Sequence, residues 1–302
     1  MSILPPSHRG RGSHKPKASP HAASQVRNCR PTRKLPLAAL LVERGNFADL
    51  EEARSWIMAG KVLVNEQRID KPGMAVPQDA SIRVLGRSRY ASRAGYKLEA
   101  ALAHFAVEAT RRVALDCGAS TGWFTDCLLQ HGAALVYAVD AGHGQLIGRL
   151  RHDPRVRNLE RTNLSDLVAM QLAPPPTLIT LDLSYLSLTK ALPIAVPLLA
   201  PEGHILALVK PLFEVESREA RRTGRIDNPE LLARALQQVI DAGSTCELTL
   251  QGVAKLALQP RHGVQEFFAC FVRGADGPAC CPDAQTLLAI VNGPGIGRVT
   301  PD

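Results

Sequence analysis

The residues best suited to chemistry in this chain fall at the ends of apolar runs. Val113-Ala114-Leu115 leads into Asp116-Cys117-Gly118-Ala119-Ser120-Thr121-Gly122, an acidic residue followed by two glycines with small hydroxyl residues between them. At the carboxyl end of a buried strand, such a loop lets the backbone come close to a bound nucleoside or phosphate. The Gly-x-x-x-Gly spacing lacks the third glycine of the dinucleotide fingerprint and argues for a nucleoside without a pyrophosphate. Asp116, Gly118, Ser120, Thr121 and Gly122 are therefore the first candidates for a cofactor seat. Asp140 closes the next apolar run roughly 20 residues on, where a carboxylate can accept both hydroxyl protons of a ribose. A helix-capping aspartate is the competing explanation. Asn163, or Asp166, follows the third run and is placed to reach an adenine edge.

Two further runs end in charge: Leu181-Asp182-Leu183-Ser184-Tyr185 and Val209-Lys210-Pro211. A buried charge without a partner costs several kcal/mol, so pairing between Asp182 and Lys210 would offset that cost. A purely structural ion pair leaves unexplained why both fall on the ligand edge. Lys97, in Ser92-Arg93-Ala94-Gly95-Tyr96-Lys97-Leu98-Glu99, opens a helix before the first strand and could point to the same edge, although a lone lysine is most often solvated. Glu266 begins the last strand and reaches the edge if that strand runs antiparallel.

The elements that must position these residues alternate. Strands are expected at 112–117, 135–140, 156–161, 177–183, 204–210, 246–253 and 266–272, with helices at 123–131, 143–151, 187–199 and 229–242. This alternation predicts a mostly parallel sheet covered on both faces. Right-handed crossovers then collect the strand-to-helix loops on one edge. Before this body lies a smaller αα-β unit of about 50 residues. Its helices are expected at Leu35–Arg44 and Asp49–Ala59, the second ended by Gly60. Strands 61–65 and 81–85 follow, with Lys71-Pro72-Gly73 as a turn. From Gly274 onward the chain reads as a tail with one helix, Ala284–Val291.

Charge is concentrated. Residues 1–34 hold eight of the 36 Lys and Arg and no acid, so the remaining 28 basic residues meet 28 acidic ones. That leader reads as a disordered basic tail suited to non-specific attraction to nucleic acid, or as an inert one. It lacks the apolar core of a secretory signal, and no apolar run reaches the roughly 20 residues of a membrane span. Seven cysteines without a Cys-x-x-Cys pair point to reduced thiols in a cytoplasmic protein. No metal is expected, since Cys280-Cys281 has no partner at ligand spacing.

With these residues in view, the chain resembles a known family. Leu41-Val42-Glu43-Arg44-Gly45, Ile57 to Asn65 and Asp70-Lys71-Pro72-Gly73 resemble an S4 RNA-binding domain. The stretches Ser92 to Leu98, Leu115 to Gly122, Val139 to Leu146, Asp182 to Leu188 and Val209 to Glu214 resemble the TlyA family, S4-fused FtsJ-like methyltransferases. The resemblance runs in order over about residues 33 to 272. It implies a Rossmann-like α/β fold, the seven-stranded sheet of class I methyltransferases, preceded by a small α+β S4 domain. The expected division is a basic leader at 1–34, an S4 domain at 35–86, a methyltransferase domain at 87–273 and a tail at 274–302. The implied activity is S-adenosylmethionine-dependent methylation of a ribose 2′-hydroxyl in ribosomal RNA, typically of a cytidine. Ribosomal RNA or a ribosomal subunit is the implied partner, without stable membrane insertion, although some members are described as haemolysins.

The same resemblance gives Lys97, Asp182, Lys210 and Glu266 a joint role as a Lys-Asp-Lys-Glu tetrad. A lysine accepts a hydroxyl proton only when neutral, and a free lysine has a pKa of about 10.4. Burial or a like charge must therefore lower it. Lys210 is the expected base, Lys97 its electrostatic partner and hydroxyl orienter, with Asp182 and Glu266 balancing the amines. Several positions depart from the family pattern. Trp123 stands where a second glycine is common, Ala94 replaces a glycine, and Leu212 sits where glutamine is usual. Asp49-Leu50 occupies a Ser-Arg place, so one phosphate contact is missing and Lys34, Arg44, Arg54 and Lys61 remain as RNA-binding candidates. The competing functions are a non-catalytic RNA-binding protein, a membrane-lytic protein and, weakest, a nicotinamide dehydrogenase.

Overall fold

The computed structural model describes residues 33–44, 46–47, 49–85, 90, 94–257, 265–274 and 280–297. Most of the basic leader, Ser92, Arg93 and the segment 258–264 lie outside the described residues. The first unit runs β1 (Lys34–Pro36), α1 (Leu37–Glu43), α2 (Leu50–Met58), β2 (Val62–Val64), β3 (Gln67–Ile69), β4 (Ala75–Pro77) and β5 (Ile82–Val84). Leu37, Leu40 and Leu41 of α1 and Ala53 and Ile57 of α2 bury their apolar faces against Val62, Val64 and Val76. The sheet order is β3-β2-β5, and β1 pairs separately with β4. Asp49 caps α2, its carboxylate accepting from the Glu52 N–H at 2.8 Å, so a residue that departs from the S4 pattern still serves the helix. The strands β1, β3 and β4 were not expected. At three residues each they are too short to show an alternating pattern.

The second unit carries α3 (Ala94–His104), β6 (Val113–Cys117), α4 (Trp123–Gln130), β7 (Leu135–Asp140), α5 (Gly148–Arg151), β8 (Val156–Glu160), α6 (Leu167–Met170) and β9 (Leu178–Leu181). It continues with α7 (Leu188–Ala195), β10 (His204–Val209), α8 (Pro211–Glu214), α9 (Arg218–Thr223), α10 (Pro229–Thr245), β11 (Leu248–Lys255), β12 (Phe267–Arg273) and α11 (Ala284–Asn292). The sheet order is β11-β12-β10-β9-β6-β7-β8. All pairings from β10 to β8 are parallel, whereas β12 runs antiparallel to both β10 and β11. Alternate strand residues divide between two cores. Leu115, Val139, Ile179, Ile205 and Phe271 face α7, α10 and α11. Ala114, Val136, Leu178, Leu206 and Phe268 face α3 and α4. That two-sided burial is why these strands read as continuous apolar runs.

Chain order reverses at β6, which lies between β7 and β9, and this switch point is where open α/β sheets bind ligands. The helix expected over 143–151 is helical only at Gly148–Arg151. Gly144, at φ +68°, stands in the preceding turn, and a left-handed residue cannot extend a right-handed helix. The helix expected at Ala284–Val291 is present as α11 (Ala284–Asn292). Asp283 caps α11, and Leu287 and Val291 are buried in the same core as α10, so the described part of the tail completes one face of the sheet. No described helix is long and apolar enough to cross a membrane.

Candidate active site

The glycine loop after β6 packs closely against its neighbours at both glycines. Gly118 adopts φ +88°, and a Cβ there would stand 2.3 Å from the Asp182 carbonyl oxygen. Gly122 adopts φ +98°, and its Cβ would meet Leu150 Cδ1 at 2.3 Å and Leu146 Cδ1 at 2.7 Å. Close approach to a ligand is therefore not the only reason for these glycines; packing and left-handed backbone already require them. Trp123 opens α4 and packs, partly buried, against the core cluster that contains Leu146 and Leu150.

Asp140 ends β7 and its carboxylate is oriented by the loop. Oδ2 accepts from the Ser120 N–H at 2.8 Å and Oδ1 from the Gly142 N–H at 2.7 Å. Each oxygen keeps a lone pair for a further donor. Ser120 Oγ donates to Gln145 Oε1 at 3.2 Å. Thr121 Oγ1 is buried with no hydrogen-bond partner among the described residues. Asn163 and Asp166 follow β8 on the same edge, exposed and joined in a capping box in which the Asn163 N–H donates to Asp166 Oδ2 at 2.8 Å. Asp116 is corrected by the structure. Its side chain points into the core, fully buried, accepting from Thr125 Oγ1 at 2.7 Å and Thr180 Oγ1 at 3.0 Å. It braces the loop from beneath and does not line it. Burial pushes its carboxyl up to about 6, the two threonine hydroxyls hold it down in part, and the nearby Asp182 carboxylate adds to the rise.

Beside this loop, three adjacent strands bring three charges together. Asp182 follows β9, Lys210 follows β10, and Glu266 precedes β12, whose antiparallel course starts at this edge, with Val209 opposite Phe267. The Lys210 ammonium lies 2.6 Å from Asp182 Oδ1. That approach is too oblique for a hydrogen bond and leaves the buried oxygen without one, whereas Lys210 donates to Ser184 Oγ at 2.8 Å. Lys97, on the first turn of α3, donates to Glu266 Oε2 in a second ion pair. Both pairs are mostly buried, with 15% and 9% of the Lys97 and Glu266 side chains exposed and 17% and 9% for Lys210 and Asp182. The four charges thus form two salt bridges side by side.

An FtsJ-like methyltransferase model matches residues 90–273, and an S4 domain model matches residues 35–82. The chain belongs to the FtsJ-like methyltransferase family. It is 42% identical over 238 residues to a Bacillus subtilis protein provisionally named rRNA methyltransferase YqxC, covering 78% of this chain and 85% of that one. It is 38% identical over 238 residues to the 16S/23S rRNA (cytidine-2′-O)-methyltransferase TlyA of Mycobacterium tuberculosis, covering 78% and 89%. Hemolysin A of Brachyspira hyodysenteriae is 38% identical over 197 residues, covering 64% and 82%. A Streptococcus thermophilus structure that carries a provisional hemolysin name superposes with a TM-score of 0.60 at 34% identity, covering 86% of this chain and 95% of that one.

An FtsJ-like methyltransferase uses S-adenosylmethionine, and the site fits that molecule. Asp140 holds a fixed carboxylate at the strand end with acceptor capacity left on each oxygen, which suits the paired hydroxyls of a ribose. Thr121 Oγ1 is a buried polar atom still lacking a hydrogen bond, the kind a polar ligand satisfies. Among the described residues no group of three or more His, Cys, Asp or Glu could hold a metal ion. In the S4 domain Lys34, Arg44, Arg54 and Lys61 are all exposed, and Arg44 also donates to the Gln78 carbonyl at 2.6 Å. Two residues at the catalytic edge escaped the reading by charge at strand ends. Ser184 is neutral, and Glu214 lies five residues beyond the end of β10.

Proposed function

We propose that this methyltransferase transfers a methyl group from S-adenosylmethionine to a ribose 2′-hydroxyl of ribosomal RNA, on a cytidine. The observation that carries the reading is the pairing of Lys210 with Asp182 and Lys97 with Glu266 on adjacent strand ends, immediately beside the glycine loop. Gly118, Ser120, Thr121, Gly122 and Asp140 would hold the nucleoside, with Asn163 toward the adenine and Asp116 fixing the loop from below. When bound, the cofactor supplies an electrophilic methyl group.

The chain's own task is to make a poor nucleophile available and hold it in line. Lys210, once it has released its own proton to solvent, accepts the 2′-hydroxyl proton at Nζ as the oxygen takes the methyl group, the demethylated cofactor being the leaving group. Lys97 orients the hydroxyl. Asp182 and Glu266 balance the two amines and fix their directions. Positioning supplies much of the rate, since in-line geometry converts an encounter between two molecules into an internal step. The exposed Lys34, Arg44, Arg54 and Lys61 grip RNA phosphates ahead of the catalytic domain, a mode that reads shape more than sequence. The names of the rRNA-modifying relatives support the substrate class.

The deciding experiment is mass-spectrometric mapping of ribose methylation on ribosomal RNA incubated with cofactor and either wild-type protein or Lys210→Ala. Wild type adds 2′-O-methylcytidine at a defined position, and the variant loses at least about 100-fold in rate while still binding RNA. Absence of ribose methylation by the wild type on intact subunits and free rRNA overturns the reading.

A further inference from the structure

Glu214 is a buried acid at the catalytic edge that the tetrad does not use. It ends α8, is 8% exposed, and reaches across to the loop after β9. Oε2 accepts from Ser187 Oγ at 2.6 Å, and Oε1 accepts from the Leu188 N–H at 3.0 Å. Ser187 is itself the cap of α7, accepting from the Thr189 N–H at 3.2 Å. The helix therefore has a local cap already, and the acid arrives from a different loop. No ion pair reaches Glu214 among the described residues, and burial pushes its carboxyl up against the pull of these neutral donors. A buried acid met only by neutral donors is a costly way to close one helix end.

The two loops are consequently tied twice. Near the sheet, Lys210 holds Asp182 and Ser184; farther out, Glu214 holds Ser187 and Leu188. Between the ties, Pro211 begins α8 and its ring restricts the backbone next to Lys210.

We propose that Glu214 is a positioning residue that fixes the loop after β10 to the loop after β9, and so keeps Lys210 in place beside Asp182 and Ser184 during the proton transfer. The inference rests on the reading of Lys210 as the base. An amine able to accept a proton is neutral and no longer forms an ion pair with Asp182, so the inner tie slackens at the moment placement matters most. The outer tie does not involve the amine and persists.

The test compares wild type with Glu214→Ala, Glu214→Gln, Ser187→Ala and the Glu214→Ala/Ser187→Ala double variant. It uses the full-length enzyme and ribosomal RNA, measuring kcat and KM for RNA, S-adenosylmethionine affinity by calorimetry, and folding by circular dichroism. The expected result is a fall in kcat of about 10- to 100-fold for Glu214→Ala. Cofactor affinity and KM should stay within about threefold, the sense expected when only transition-state placement is lost. Glu214→Gln, which keeps an acceptor oxygen, should recover most of the rate, and the double variant should be no slower than Glu214→Ala alone. A kcat for Glu214→Ala within about twofold of wild type overturns the proposal, as does a parallel loss of cofactor affinity that glutamine fails to rescue. If Glu214→Ala does not fold, Ser187→Ala carries the test: a fall in kcat with cofactor affinity unchanged supports the proposal, and wild-type kcat overturns it. An inactive wild type would instead remove the function proposed above, which separates the two failures.

Discussion

Gly118 and Asp182 pack backbone against backbone, the glycine's missing side chain leaving room for the aspartate carbonyl. The Asp182 N–H donates to the Cys117 carbonyl at 2.9 Å, one residue before Gly118. The cofactor loop and the end of β9 are therefore one packed unit, and a change in either displaces the other.

Gly118→Ala should accordingly cost both stability and cofactor. The new Cβ must displace the Asp182 backbone, and alanine is strained at φ +88°. A loss of about 2 kcal/mol or more is expected, together with at least tenfold weaker S-adenosylmethionine binding, about 1.4 kcal/mol. Thermal denaturation and calorimetric titration check the two parts, and wild-type values in either would contradict the packing.

Asp140→Ala should weaken the cofactor more selectively. It removes the acceptor for the Ser120 and Gly142 N–H groups as well as the carboxylate offered to a ribose. Cofactor affinity should fall at least tenfold while RNA binding, measured by filter retention, stays at the wild-type level. Equal loss of both would assign Asp140 to the general integrity of the domain.

The buried Asp116 sets a pH dependence of stability. Its folded-state carboxyl is raised from 3.8 to about 6, so the folded chain holds this proton where the unfolded chain has released it. The group's contribution is complete below about 3.8 and is lost as pH rises to about 6, amounting to about 3 kcal/mol. Asp116→Asn removes this loss, and the Thr125 and Thr180 hydroxyls can still bond to an amide. The variant's melting temperature relative to wild type should therefore be higher at pH 7 than at pH 4. A difference independent of pH would show that Asp116 is not the group responsible.

In the S4 domain, Arg54→Ala/Lys61→Ala should weaken RNA binding across sequences and flatten its salt dependence. Each lost phosphate contact lowers the slope of log affinity against log salt by about 0.7 to 0.9. An unchanged slope would remove both residues from the RNA surface.

How much of this was legible beforehand depended on whether a residue's role was local. The strands of the large sheet follow from unbroken apolar runs such as Ile205 to Val209; Asp182 and Lys210 stand where such runs stop and Glu266 where one begins. Asp116 was legible as part of the loop but not as an inward-facing group, because its direction depends on Thr125 and Thr180, 9 and 64 positions away. Ser184 and Glu214 lie within the stretches that carry the family resemblance, but their roles become visible only once the neighbouring loop lies against them. The short helices α6, α8 and α9 escaped notice for a related reason. At four to six residues they are stabilised by what they pack on, which periodicity cannot register.

The pair formed by Lys97 and Glu266 joins the first helix of the catalytic domain to the start of its antiparallel strand, 169 positions later. During synthesis the lysine emerges early and has no acid to meet until β12 has been made and inserted between β10 and β11. Without β12 this edge of the sheet lacks Glu266, and Lys97 has lost its partner there. Completion of the sheet by β12 is what brings the fourth charge to this edge.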